Sequence, residues 1–172
     1  ILMDNNNYKE ELKNLLNKEV LVIVDRPINS VHPTHKDIIY PVNYGYIKDL
    51  KAPDGEYQDA YILGINKKTE TVKGKVIAII ERLDDVESKL IVVPNGLDYT
   101  DDEIESIRYF DISTQVSIEE IKKVSIFPST DLLIEKGQYE KGKKLIIEKL
   151  MNDKTLLLNE ARERLITNVH RD

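Results

Sequence analysis

Two short acidic stretches hold the residues best suited to chemistry. Asp54-Gly55-Glu56-Tyr57-Gln58-Asp59 lies between two predicted strands, and Asp84-Asp85-Val86-Glu87-Ser88-Lys89 lies at the edge of a third. Carboxylates this close repel one another unless they face water or share a cation. Hard oxygen donors suit Mg²⁺ or Mn²⁺ far better than zinc, and Gly55 permits the sharp backbone path that would aim Asp54, Glu56 and Asp59 at one point. Taken alone, an Asp-Gly-Glu tripeptide is more often a solvated hairpin turn. The chain has no cysteine, which removes thiolate nucleophiles and Cys-ligated zinc or iron–sulfur sites and leaves carboxylates and three histidines as metal ligands.

The elements that must carry these residues follow from periodicity. Tyr8, Leu12, Leu15 and Leu16 recur at helical spacing and predict a short amphipathic helix that Asn17 can end. The run from Val20 to Val24 predicts a buried strand closed by Arg26-Pro27, and the loop from Pro27 to Lys36 carries two prolines and two histidines. Further strands are predicted at Ile38 to Tyr40, Tyr44 to Ile47, Ala60 to Ile65, Gly74 to Ile80 and Lys89 to Val93. Short strands joined by polar turns point to a small closed or strongly curved β-barrel. After Pro94 the pattern becomes helical. Thr100 with Glu103 and Ser117 with Glu120 have capping-box spacing, and helices are predicted from Lys143 to Met151 and from Thr155 to Val169. The expected class is α+β, organised as an N-terminal helix over 1–18, a β-barrel core over 19–99 and a helical extension over 100–172 packed on that core.

At 172 residues with 41% apolar content, the chain fits one domain with a substantial core. Its net charge of −6 argues against a general nucleic-acid or anionic-membrane surface, and its apolar runs are far too short to span a bilayer. A cytoplasmic protein acting on a small molecule, and forming a homo-oligomer, is expected, with no nucleic-acid or membrane partner.

Tyr40-Pro41-Val42-Asn43-Tyr44-Gly45-Tyr46-Ile47, followed by the acidic loop from Asp54 to Asp59, resembles the paired signature of the family I soluble inorganic pyrophosphatases. Downstream, Asp84, Glu87 and Lys89 fall where that family has its second acidic loop and a lysine, before a strand ending here in Pro94. Upstream, Asp25 and Pro27 match its first acidic residue and following proline. The resemblance spans Val20 to Pro94. It implies a pyrophosphatase-type barrel and a Mg²⁺-dependent hydrolase (Mn²⁺ being an alternative) of phosphoanhydrides, with inorganic pyrophosphate the first substrate. It further implies Asp54, Asp59 and Glu87 as ligands of one metal, Asp84 and Asp25 serving further ions, Glu56 as general base, and Tyr44 and Lys89 at the phosphate. The alternative is a non-catalytic or regulatory relative that keeps a metal or phosphate site and uses its helical tail as a partner or oligomer interface.

The chain also departs from that family. The hairpin that delivers an arginine to substrate is missing, because Pro33-Thr34-His35-Lys36-Asp37 runs almost directly into Tyr40. His35 or Lys36 would replace a family lysine, with Asp37 as the carboxylate two residues beyond that lysine. Arg26 and Arg82 could supply the missing guanidinium, which binds phosphate bidentately. Glutamates at 56 and 87 stand where the family has aspartates, and the added methylene alters a tightly defined geometry. Reduced activity or a different phosphate substrate is the expected consequence. His170 and the lysines from Lys141 to Lys144 beside Tyr139 are read as solvated.

Overall fold

The computed structural model describes residues 7–82, 87–115, 118–128 and 136–169. Its centre is a ring of five strands: β1 (Glu19–Arg26), β2 (Tyr44–Lys51), β3 (Tyr57–Ile62), β4 (Thr71–Arg82) and β5 (Lys89–Pro94). They pair in the order β1-β2-β3-β5-β4, and β4 returns to β1, which closes the barrel. All neighbours are antiparallel except β3 and β5, which run parallel. Helix α1 (Tyr8–Lys13) precedes the barrel, and α2 (Asp101–Ser113), α3 (Ile118–Lys122), α4 (Lys136–Asn152) and α5 (Lys154–Val169) follow it. A sixth strand, β6 (Val124–Pro128), adds to the far half of β4 outside the ring, so the segment expected to be helical also extends the sheet.

Strand alternation divides the side chains into two cores. Val22, Ile47, Ala60, Ile62, Val72, Val76, Ile79, Leu90 and Val92 fill the barrel, and Tyr8 and Leu12 of α1 close one end. The opposite faces turn Tyr44, Tyr61, Leu63, Ile77, Ile80, Ile91 and Val93 outward, against Ile104, Ile107 and Phe110 of α2. The uninterrupted apolar run from Val76 to Ile80 is explained by this double covering, because strands buried on both faces need no polar alternation. An irregularity between Val76 and Ala78 shifts the phase of β4, which lets Val72 and Val76, and then Ile79, all point into the barrel.

The expected N-cap of α2 is present: the Thr100 hydroxyl accepts the Glu103 amide at 3.2 Å, satisfying an otherwise unpaired donor of the first turn. Helix α2 then lies between the barrel and α4 and α5, buried nearly all round. Residues 38–40 do not form a regular strand. Val31 bridges Ile39, Tyr40 N donates to Ser30 O at 2.9 Å and Asn29 N donates to Tyr40 O at 2.6 Å, so the loop folds back on itself.

Gly45 sits at a close crossing of β2 and β1. A β-carbon there would overlap the carbonyl of Ile23 on β1, and backbone cannot move aside as a flexible side chain could. Gly45→Ala is therefore expected to destabilise the protein by about 2 kcal/mol or more. Denaturant melts of the two proteins check this; an unchanged midpoint would show that β1 and β2 separate at little cost.

Candidate functional site

A cavity of about 390 Å³ opens on the outer face of the barrel, where β2, β3 and β5 meet the 27–40 loop and the C-terminal end of α2. Asp59 and Tyr61 reach it from alternate positions of β3, while Gln58 and Ala60, which alternate with them, face inward. Tyr44 of β2 pairs with Tyr61, their rings 4.9 Å apart edge to face. At the end of β1 a break in register leaves one extra residue, Asp25, between the Val24–Gly45 and Arg26–Tyr44 pairings. Both Asp25 and Arg26 line the cavity, which regular alternation would forbid.

Gln58 sets the position of the second acidic stretch. Its buried amide donates to Ser88 O at 2.7 Å, and Tyr8 OH donates to Gln58 Oε1 at 2.5 Å. With Ser88 so held, Glu87 meets Asp59 and the two carboxyl groups share a hydrogen bond. Asp59 is pushed up to about 8, first by burial and then by the hydrogen bond and charge of Glu87; Lys89 and the Tyr44 hydroxyl pull the other way.

Lys89 follows at the start of β5. Its Nζ lies 2.9 Å from Asp111 Oδ1 of α2 and over the rings of Tyr44 and Tyr61, at 5.5 and 5.6 Å from their centroids. Tyr61 OH donates to the same Asp111 oxygen at 2.5 Å. Burial works against the lysine's charge, but Asp111 and the two tyrosines outweigh it and hold the pKa well above the ordinary value. Arg26 Nη1 donates to Tyr40 OH at 2.6 Å, with the guanidinium over the Tyr40 and Tyr44 rings. Arg82 Nη1 donates to Gln115 Oε1 at 2.7 Å.

The cavity thus gathers Asp25, Arg26, His35, Tyr44, Asp59, Arg82, Glu87 and Lys89 of the residues singled out in the sequence. It does not gather Asp54, Glu56 or Lys36, which are exposed and outside its lining. The expected convergence of three carboxylates accordingly reaches only Asp59 and Glu87. The reason is local: Asp54 Oδ1 accepts the Glu56 amide at 2.9 Å, and the Ala52 and Gly55 backbone closes the turn with Gly55 at φ 88°. Asp84 and His170 lie outside the described residues. Among the described residues, no three His, Asp or Glu side chains gather as a metal-ion shell.

The lining also holds His32, on the loop whose two histidines could serve phosphate or structure alike, and it includes Tyr40, Tyr61, Asp111 and Gln115, which the sequence had not pointed to. The readable signal was Asp111, a charge placed four residues after Ile107 and seven after Ile104 on the apolar stripe of α2.

Comparison with known proteins gives partial likenesses. A family model described as the UvrB interaction domain matches residues 71–132, about a third of the chain. No curated protein matches the sequence. Among solved structures, an inorganic pyrophosphatase from Ehrlichia chaffeensis is 17% identical, with 77% of this chain and 94% of that one covered and a TM-score of 0.44. One from Thermus thermophilus is 15% identical, with 78% and 92% covered and a TM-score of 0.45. An inorganic phosphatase from Anaplasma phagocytophilum is 19% identical, with 76% and 90% covered and a TM-score of 0.46. The barrel assignment rests on the strand pairings of this chain. No helix among the described residues is long and apolar enough to cross a membrane.

The raised Asp59 pKa has a thermodynamic consequence in protein freed of divalent cations. The native carboxyl keeps its proton up to about pH 8, whereas in the unfolded chain it is lost near pH 4. The native state binds more protons across that window, so this group's contribution to stability falls as pH rises from about 4 to about 8. Asp59→Asn should flatten that slope in melts run with chelator. Equal slopes in the two proteins would show that Asp59 is ionised in the native state.

Proposed function

We propose that the cavity binds a phosphoanhydride together with a divalent cation and hydrolyses it, inorganic pyrophosphate being the first substrate. The observation carrying this reading is the two-sided charge of a single cavity: the hydrogen-bonded Asp59–Glu87 pair on one wall, with Lys89, Arg26 and Arg82 facing the same space.

Two adjacent hard carboxylates fit Mg²⁺, which commonly takes one or two protein carboxylates and fills its remaining positions with water and substrate oxygens. Asp59 and Glu87 would hold it, with Asp25 on the cavity wall nearby. The chemistry such a cation supplies is neutralisation of crowded phosphate oxygens and a lower pKa for bound water. The chain's own residues do the rest. Lys89 is fixed by Asp111 and by the two tyrosine faces, so its charge is positioned before substrate arrives and costs no reorganisation. Arg26, oriented through Tyr40, offers further N–H donors to phosphate oxygens. The Tyr44 hydroxyl favours the ionised form of the Asp59 carboxyl, as a metal ligand there would need.

A second reading, a binding module without turnover, draws on the match of residues 71–132 to a model described as an interaction domain. In either reading the protein is taken as cytoplasmic and homo-oligomeric, which the sequence alone motivates.

Phosphate release measured with Mg²⁺ and with Mn²⁺ across pyrophosphate, tripolyphosphate and nucleoside triphosphates decides between them. Turnover is expected with pyrophosphate, and Asp59→Asn and Lys89→Met are each expected to lower it by about 10²-fold. Glu56→Gln is expected to cost less than Asp59→Asn, because Glu56 stands outside the cavity. A larger loss at Glu56 would restore its general-base role and place the Asp54–Glu56 turn over the loaded site. Background rates for every substrate with both metals would leave the binding-module reading.

A further inference from the structure

We propose that His32 is a phosphate-binding residue of this cavity that acts as a neutral imidazole, donating from Nε2. The proposal rests on the reading of the cavity as a phosphate site, and assigns a role to a residue for which the family resemblance implies none.

The orientation of the ring follows from its other nitrogen. His32 Nδ1 lies 3.1 Å from the backbone nitrogen of Thr34 and 3.1 Å from that of His35, both of which donate to it. An atom that accepts two N–H groups cannot carry a hydrogen of its own, so in the neutral ring the proton sits on Nε2. The Thr34 hydroxyl lies 3.3 Å from the same nitrogen. No described residue is bonded to Nε2, and His32 is part of the cavity lining.

The loop fixes the backbone as well as the ring. His32 N donates to Ile38 O at 2.9 Å, and the neighbouring Val31–Ile39 bridge closes the fold-back. The imidazole stacks along Tyr40 with centroids 6.3 Å apart and planes 18° apart, and Tyr40 OH accepts from Arg26. His32, Tyr40 and Arg26 therefore form one connected wall carrying a neutral donor and a permanent cation. Charging the imidazole would add a hydrogen to Nδ1 against two donors. Its pKa is also lowered by burial and by the charges of Arg26, His35, Lys89 and Lys36.

Two substitutions separate the ring's two nitrogens. Asparagine offers an oxygen near the position of Nδ1 and nothing at Nε2; glutamine offers an N–H donor near Nε2 and leaves the loop amides without their acceptor. Calorimetric titration with inorganic phosphate in Mg²⁺ gives the readout, with thermal midpoints measured alongside. His32→Asn should keep the wild-type midpoint and bind phosphate about tenfold more weakly, the loss of one hydrogen bond to a charged group. His32→Gln should melt lower yet keep affinity within about threefold. Wild-type affinity in His32→Asn would overturn the proposal and leave His32 a loop-building residue only; so would an equal loss of affinity in both variants. Failure of the unsubstituted protein to bind phosphate would instead overturn the phosphate-site reading, and this proposal with it.

Discussion

The ion pair between Lys89 and Asp111 joins the two halves of this molecule. Lys89 begins β5 and Asp111 comes from the last turns of α2, so their 2.9 Å contact fixes the barrel's outer face against the helical layer. Breaking such a pair leaves a partly buried charge without its counter-charge, which is costly, whereas the intact pair is satisfied from several sides. Tyr61 adds a hydroxyl donor to Asp111, and Tyr44 and Tyr61 present their ring faces to the ammonium. The same contact leaves the lysine in the lining of the cavity, beside its acidic wall, so one interaction serves both the packing of α2 and the charge of the site.

Strand alternation distributes the remaining work. On β3 the inward residues Gln58, Ala60 and Ile62 build the barrel and hold Ser88, while the outward residues Asp59 and Tyr61 build the cavity. Gln58 and Asp59 thus reach the same neighbouring segment from opposite faces, one through the Ser88 carbonyl and the other through the Glu87 carboxyl. The irregularity at Val24–Arg26 releases this rule at one point, and two consecutive charged residues enter the cavity there.

Much of this was legible in the chain. Five strands, the α1 stripe and the Thr100 cap could be read from apolar periodicity and capping chemistry, because each depends on residues close in sequence. Asp59, Glu87 and Lys89 could be placed together through the family resemblance, and the parallel pairing of β3 with β5 is what sets their strands side by side. The partners that complete the site could not. Asp111 reaches Lys89 across 22 positions of sequence, and Tyr8 reaches Gln58 across 50. Neither contact leaves a local periodic trace beyond one charge on an apolar stripe. Asp54 and Glu56 take their expected roles from the family resemblance, whereas here the turn closes on its own hydrogen bonds and neither residue is in the cavity lining. Strand β6 escaped notice because five residues between helical patterns are too few for alternation to register.

On the proposed reading, one cavity takes a divalent cation on its Asp59–Glu87 wall and a phosphate group on its Lys89–Arg26 wall. A crystal grown with Mn²⁺ and inorganic phosphate tests it directly, because manganese is located by its anomalous scattering independently of any assumption about turnover. An anomalous peak contacting Asp59 and Glu87 is expected, with phosphate density beside Lys89 and Arg26. Manganese seated instead on the Asp54–Glu56 turn, or phosphate bound elsewhere with the cavity empty, would contradict it.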